Sequence, residues 1–309
     1  MGRRCSIDAK ALTSTVCMRE EVVVIKWGGG LITQKEKFCV PRPKVINSLA
    51  KVLREVLDHA PKPTRIVLVH GAGSYGHLRS KMWRLQEGKL PDGSVAPEEE
   101  DGCHSQEEAV YLVREELLEL NRLVCTSLFH YGIKTCVHSP HKWAHGTGPS
   151  FKGDISGRFL KSDTAIDVTY GDVVDVGSSS FGILSGDDLV VRLSCELPNV
   201  RCLVFAVGGG IDGLLSLAPS KGGSNEHLIH EWSDSMPSNS FLHQENIDVT
   251  GGMAKKAACG AMVARKTSRV RVMVVNGEIP SRVLACMMGE DKVRGTRIVA
   301  RAAVNLSKL

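Results

Sequence analysis

Glu21-Val-Val-Val-Ile-Lys-Trp-Gly-Gly-Gly30 reads as a buried strand running into a tight loop. Residues 22–25 form a short β-branched apolar run, too brief for a helix, and it stops at a glycine cluster. Downstream, Pro43 opens a helix over residues 44–59. There Val45, Ile46, Leu49, Val52, Leu53, Val56 and Leu57 recur at helical spacing, with proline at the tolerated first turn. A second apolar run, residues 66–69, ends at another glycine-rich loop, His70 to His77. Strand, helix and strand in this order predict a parallel crossover.

The same reading extends along the chain. A polar, acidic stretch at 86–105 is expected to be a solvated loop, and 107–130 returns to helical periodicity. Residues 133–137 read as a strand, and 173–176 with 181–184 as a hairpin around Gly-Ser-Ser-Ser. Asp187 or Asp188 is expected to cap a helix running through Leu197, followed by a strand at 203–207. Residues 208–246, rich in Gly, Ser, Asn and Pro, are expected to form excursions over one sheet edge. Gly251 and Gly252 should open a final long helix over 253–265, followed by strands at 270–275 and 295–304. The alternation predicts an α/β fold, a three-layer αβα sandwich with an open, mainly parallel central sheet. No internal repeat or composition break marks a second domain, so residues 21–309 are expected to form one domain after a flexible extension, 1–20.

The chain has 309 residues, 42% hydrophobic and 24% charged, which argues against a disordered or fibrous protein. Its formal charge, 39 basic minus 34 acidic residues or +5, is scattered, and no basic stripe with interleaved aromatics points to nucleic acid. The ten cysteines include no C-x-x-C pair, so reduced thiols in the cytoplasm are expected. The longest apolar runs fall far below the roughly 18 to 20 residues needed to cross a bilayer. Met-Gly-Arg-Arg-Cys-Ser6 fits a myristoylation pattern at Gly2, with Cys5 available for a second acyl chain. An unmodified extension is the simpler expectation, and no apolar signal-peptide core is present in residues 1–20.

Three glycine clusters, Gly28-Gly29-Gly30, Gly71-Ala72-Gly73 and Gly208-Gly209-Gly210, close strands on one expected sheet edge. Ligands of open α/β sheets sit at that carboxyl edge, where glycine lets backbone N–H groups approach oxyanions. Gly71-x-Gly73-x-x-Gly76 also satisfies a dinucleotide fingerprint, but no acidic residue ends a second strand roughly 20 residues on, and no Walker A sequence is present. A phosphate loop is therefore preferred to a dinucleotide loop. Lys26, between strand and loop, is placed to face a ligand, with Lys35 and Lys256 as further candidate cations. His70 is expected to be structural, and His77 to donate to an anionic substrate. His138, His141 and His145 have near-metal spacing, but Pro140 interrupts them and no metal is expected there.

Taken together, Ile25-Lys-Trp-Gly-Gly-Gly-Leu-Ile-Thr33, His70-Gly-Ala-Gly-Ser-Tyr-Gly-His77, Ile183-Leu-Ser-Gly-Asp-Asp-Leu189 and Asp248-Val-Thr-Gly-Gly-Met253 resemble the amino acid kinase superfamily and, within it, the isopentenyl phosphate kinases. The resemblance runs in order from about residue 22 to 303. It implies an αβα sandwich, usually a homodimer, that transfers the γ-phosphoryl of ATP, with Mg²⁺, to isopentenyl phosphate. It further implies that Lys26, Gly28, Gly29, Gly30, Gly73, Asp212, Gly251, Gly252 and Lys256 serve ATP, and that Lys35 stabilises the transition state. Asp187 would orient the lysines, His77 would bind the acceptor phosphate, and Gly71, Ala72, Gly76 and Gly186 would contact the substrate. No direct protein ligand to a metal is expected.

Some positions depart from the family pattern. Gly30 stands where serine is common, Ala72 where glycine is common, and Tyr170 where histidine is usual. Gly209-Gly-Ile-Asp-Gly213 lacks an acid and a hydroxyl that help seat the nucleotide. The apolar stripe from Val110 to Leu123 suits either a pocket wall for a five-carbon tail or ordinary core. The alternatives to the isopentenyl phosphate reading are a fosfomycin-type, carbamate, amino acid or UMP kinase, or an inactive phosphate-binding regulatory homologue.

Overall fold

A computed structural model describes residues 20–95, 102–177, 180–215, 228–236 and 252–300. Strand β1 (Glu21–Trp27) leads into the short helix α1 (Gly29–Ile32), then α2 (Pro43–His59), β2 (Thr64–His70), α3 (His77–Met82), α4 (Gln106–His130) and β3 (Lys134–Val137). Next come β4 (Ala165–Tyr170), the hairpin β5 (Asp172–Gly177) and β6 (Ser180–Leu184), α5 (Gly186–Glu196) and β7 (Val200–Val207). The chain continues through β8 (Glu231–Trp232), α6 (Gly252–Lys266), β9 (Arg271–Asn276), α7 (Pro280–Met288) and β10 (Thr296–Ile298).

Eight strands form one sheet in the order β3-β4-β2-β1-β7-β9-β10-β8. All neighbours are parallel except β10, which runs antiparallel to β9. Alternation along the strands sorts side chains into two cores. Val23, Ile25 and Trp27 of β1 pack with Ile46, Leu49 and Leu53 of α2, Leu120 and Val124 of α4, and Val283 and Met287 of α7. Val22 and Val24 face the other way, with Leu189, Val190 and Leu193 of α5 and Ala257, Ala261 and Val263 of α6. Helices therefore cover both faces, as the near-continuous apolar strands require, and the expected αβα sandwich is borne out. A smaller cluster joins Val110, Val113 and Leu117 of α4 to Val173 and Phe181 of the hairpin.

Four sequence expectations need correction. β4 was not anticipated, because Asp167 and Thr169 interrupt its apolar pattern; both are buried, and the strand sits inside the sheet between β3 and β2. The helix at 252–266 is not the last, since α7 follows, opened by Pro280 and closed by Gly289 at φ 90°. The expected strand over 295–304 is confined within the described residues to Thr296–Ile298. Finally, α5 is capped by neither aspartate. Ser185 Oγ accepts from the Asp188 backbone N–H at 3.2 Å while Asp188 Oδ2 accepts from the Ser185 N–H at 3.3 Å, a reciprocal capping box. The Gly2/Cys5 motif and most of the 214–246 insertion lie outside the described residues.

Candidate active site

The carboxyl ends of β1, β2, β7 and β9 open into one cavity of about 820 Å³. Gly28, Gly29 and Gly30 line it together with Gly71 and Ala72 and with Gly208 and Gly209, so the three glycine loops do converge. Two of them touch. A Cβ on Gly29 would stand 2.3 Å from the Gly73 backbone nitrogen, and one on Gly71 would stand 2.5 Å from the Gly29 nitrogen. Only bare backbone lets these loops approach so closely.

Lys26 enters the cavity because strand alternation puts it on the side of Val22 and Val24, facing α5 and α6. It meets Asp187 there, with Nζ 2.5 Å from Oδ1. Lys256, in the first turns of α6, approaches the other carboxylate oxygen at 3.5 Å and donates to Gly252 O at 3.2 Å. The next residues repeat the arrangement, with Lys255 Nζ 2.8 Å from Asp188 Oδ2. Two consecutive acids on α5 thus hold two consecutive lysines on α6. Burial alone would raise the Asp187 carboxyl, but Lys256 and then Lys26 outweigh it and hold it below the ordinary carboxylate range. The first turns of α5 and α6 border the cavity, and their positive dipole ends add to the lysine charges.

His77 lines the same cavity at the start of α3, beside Gly76. Lys35 lies across Gly30, where a Cβ would fall 2.2 Å from its Cε, so glycine at this position leaves room for this lysine. Gly186 and Gly252 also line the wall. Part of the wall is apolar, made by Val113 and Leu117 of α4, which pack beside Gly76, with Val173 and Ile183 of the hairpin. Of the α4 stripe, Val113 and Leu117 line the cavity and also belong to the smaller core cluster, while Leu120 belongs to the core beside α2.

Two expected positions fall elsewhere. Asp212 is turned from the cavity toward Arg282, Arg294 and Asn276, which bind its carboxylate, because three donors from distant segments outcompete solvent for it. Gly73 is buried at φ +52° against Thr33 and Gly29, where it shapes the loop without lining the cavity. Gly251 lies outside the described residues. His70 is structural, as expected: it is buried, 3.3 Å from Asn121 Oδ1 and stacked on Tyr170 at 5.0 Å. Tyr170 also donates to Ser139 Oγ at 2.8 Å.

Arg42 and Glu278 line the cavity but drew no notice in the sequence. Glu278 accepts from Arg42 at 2.6 Å and from the Gly210 N–H at 3.1 Å, so it pins the third glycine loop. A signal existed, since β9 also ends at the carboxyl edge in Asn276-Gly277-Glu278.

The amino acid kinase family model matches residues 21–276. An isopentenyl phosphate kinase of Methanothermobacter thermautotrophicus is 29% identical over 91% of this chain and all of its own length. One of Thermoplasma acidophilum is 27% identical over 85% of this chain and 94% of its own. A crystal structure of the T. acidophilum enzyme as a product complex superposes with a TM-score of 0.68 at 22% identity, covering 90% of this chain and 99% of that one.

Proposed function

The chain belongs to the amino acid kinase family, and from this we propose that it transfers the γ-phosphoryl of ATP to isopentenyl phosphate, giving isopentenyl diphosphate. One observation carries the reading. Lys26 and Lys256 are held on the two oxygens of a single buried carboxylate, in a cavity lined by the glycine loops, His77 and a group of apolar side chains. Cations and amides suit a polyanion, and the apolar wall suits a short hydrocarbon tail.

The chemistry asks little else of the protein. A phosphate monoester has a second pKa of about 6, so the acceptor is already a dianionic nucleophile near neutral pH and needs no general base. The obstacle is repulsion between two polyanions. Lys26 and Lys256 would take the charge of the ATP phosphates, with Asp187 fixing both ammonium groups. Lys35 would follow the moving phosphoryl group, and His77 with the amides near Gly71 and Gly186 would anchor the acceptor.

Magnesium fits this scheme as a passenger of ATP. The described acids on the cavity wall are Glu36, Asp172 and Glu278. Asp172 is engaged by His141 at 2.7 Å and Glu278 by Arg42, which leaves no carboxylate cluster for a direct ligand set. Bound with ATP, Mg²⁺ would supply charge neutralisation, beside Lys26 and Lys256. Residues 21–309 as one domain, the homodimer and the cytoplasmic setting belong to the same proposal; among the described residues no helix is long and apolar enough to cross a membrane.

A coupled ADP-release assay tests the reading. Turnover with isopentenyl phosphate, and none with UMP, carbamate, fosfomycin or an amino acid, is the expected result. Turnover confined to one of the others overturns it, and so does failure to bind ATP·Mg²⁺ at millimolar concentration by calorimetry.

A further inference from the structure

Away from the cavity, at the far end of the sheet, Cys136 and Asp167 are cross-strand partners in the parallel pair β3–β4. His138 follows two residues after Cys136, so strand alternation returns it to the same side. Among the described residues, the ligand atoms of Cys136, His138 and Asp167 form a group lying within 4.8 Å of one another. His138 Nε2 is 2.7 Å from Asp167 Oδ1, and Asp167 Oδ2 is oriented by the Leu160 N–H at 2.9 Å. His138 and Asp167 are buried, while Cys136 is half-buried at the sheet edge and leaves an approach from solvent. The metal discounted for His138, His141 and His145 thus meets a different donor set, one that only the pairing of β3 with β4 assembles. His141 is committed to Asp172.

We propose that Cys136 Sγ, His138 Nε2 and Asp167 Oδ1 form a binding site for a borderline-soft divalent cation of the zinc class, with the fourth position open to water. A thiolate with an imidazole and a carboxylate selects this class over Mg²⁺ or Ca²⁺, which take oxygen ligands. Tetrahedral bonds of about 2.0 to 2.3 Å place ligand atoms roughly 3.3 to 3.8 Å apart. Closing the site therefore draws the thiol in and opens the His138–Asp167 contact by a fraction of an ångström or more. The thiol proton passes to solvent as the Cys136 sulfur–metal bond forms, the Nε2 proton that His138 holds against Asp167 leaves as the imidazole takes its Nδ1–H tautomer, and the thiolate and carboxylate together balance the dication. The consequence is mechanical. β3 is a four-residue edge strand with β4 as its neighbour in the sheet, and the cation clips the two together.

The test uses the full-length protein, reduced, stripped with chelator and freed of it. One equivalent of Zn²⁺ should protect Cys136, and no other cysteine, from iodoacetamide, as mapped by peptide mass spectrometry. Co²⁺ should produce a thiolate charge-transfer band that Cys136→Ser abolishes and Cys195→Ser retains. Zn²⁺ should raise the melting temperature of the wild type but not of Cys136→Ser. Unchanged alkylation of Cys136, or a cobalt band that survives in Cys136→Ser, overturns the proposal. Should Cys136→Ser fail to fold, the alkylation result on the unaltered protein decides. None of these readings involves kinase turnover, so they stand or fall apart from the proposed phosphoryl transfer.

Discussion

Asp187 carries two opposite demands, since it neutralises Lys26 and Lys256 and, in the proposed function, must yet leave their ammonium groups facing a ligand. Both lysines are under 10% exposed, and removing the shared partner takes the carboxylate away from two buried charges. Asp187→Asn should therefore lower stability by about 3 to 5 kcal/mol in a urea titration. ATP should restore more stability to this variant than to the wild type, because its phosphates replace the lost carboxylate; a smaller shift with ATP would contradict that role. His77→Ala should raise KM for isopentenyl phosphate with little change for ATP. Lys35→Ala should instead lower kcat with nucleotide binding intact, and equal mild effects from both would refute the division of labour. His70 gives a pH dependence. Burial drives its imidazole down to about 4 against an ordinary value near 6.5, so the unfolded chain binds a proton that the folded chain refuses between these values. Stability should be complete above about pH 6.5 and fall as the solution is acidified toward 4, by roughly 2 kcal/mol at pH 5. His70→Asn should remove that part of the slope in urea midpoints measured at pH 7 and pH 5.

Between elements, the site depends on how α5 and α6 start and on how two loops meet. The Ser185–Asp188 capping box fixes the direction in which α5 leaves β6, and Asp188 also accepts from Lys255 of α6. Ser185→Ala should cost about 1 kcal/mol, seen as a lower melting temperature. Gly29→Ala is a harsher change, because its methyl would fall on the backbone of Gly73 rather than on a flexible side chain. The loops must then part, and the variant should lose ATP binding by calorimetry while far-UV circular dichroism stays near that of the wild type. Elements differed in how openly the sequence announced them. β1, β2, β7 and β9 were readable because each is an apolar run buried on both faces, and α2 because its apolar stripe is continuous. β4 was hidden since its buried Asp167 and Thr169 are satisfied by His138, whose ring meets the carboxylate and whose carbonyl accepts from the Thr169 hydroxyl, and by the Leu160 N–H on the other carboxylate oxygen. That compensation arrives from segments outside the strand.

For the molecule as a whole, ligand binding and folding are linked through the cavity. The proposed ligands, ATP and isopentenyl phosphate, would bind only the assembled edge, so at a hundred-fold excess over its dissociation constant a ligand should add about 2.7 kcal/mol, visible as a rise of several degrees in melting temperature. No shift with either ligand would argue against this cavity as the site. The apolar strands, the helical stripe of α2, the mainly parallel sheet and its glycine-rich carboxyl edge follow from local features of the chain, because β-branched runs, a 3.6-residue stripe and glycine at strand ends each act over a few neighbouring residues. Lys26 belongs with these, since alternation from Val22 settles its side of the sheet. What the tertiary structure alone decided is which charges meet. Asp212 went to Arg282 and Arg294, 70 and 82 residues away, instead of to the cavity, Glu278 came to the third glycine loop from 68 residues away, and Cys136 found Asp167 across β3 and β4. Such pairings depend on the distances and desolvation that follow when separate elements pack, and these interactions have no local signature in the sequence.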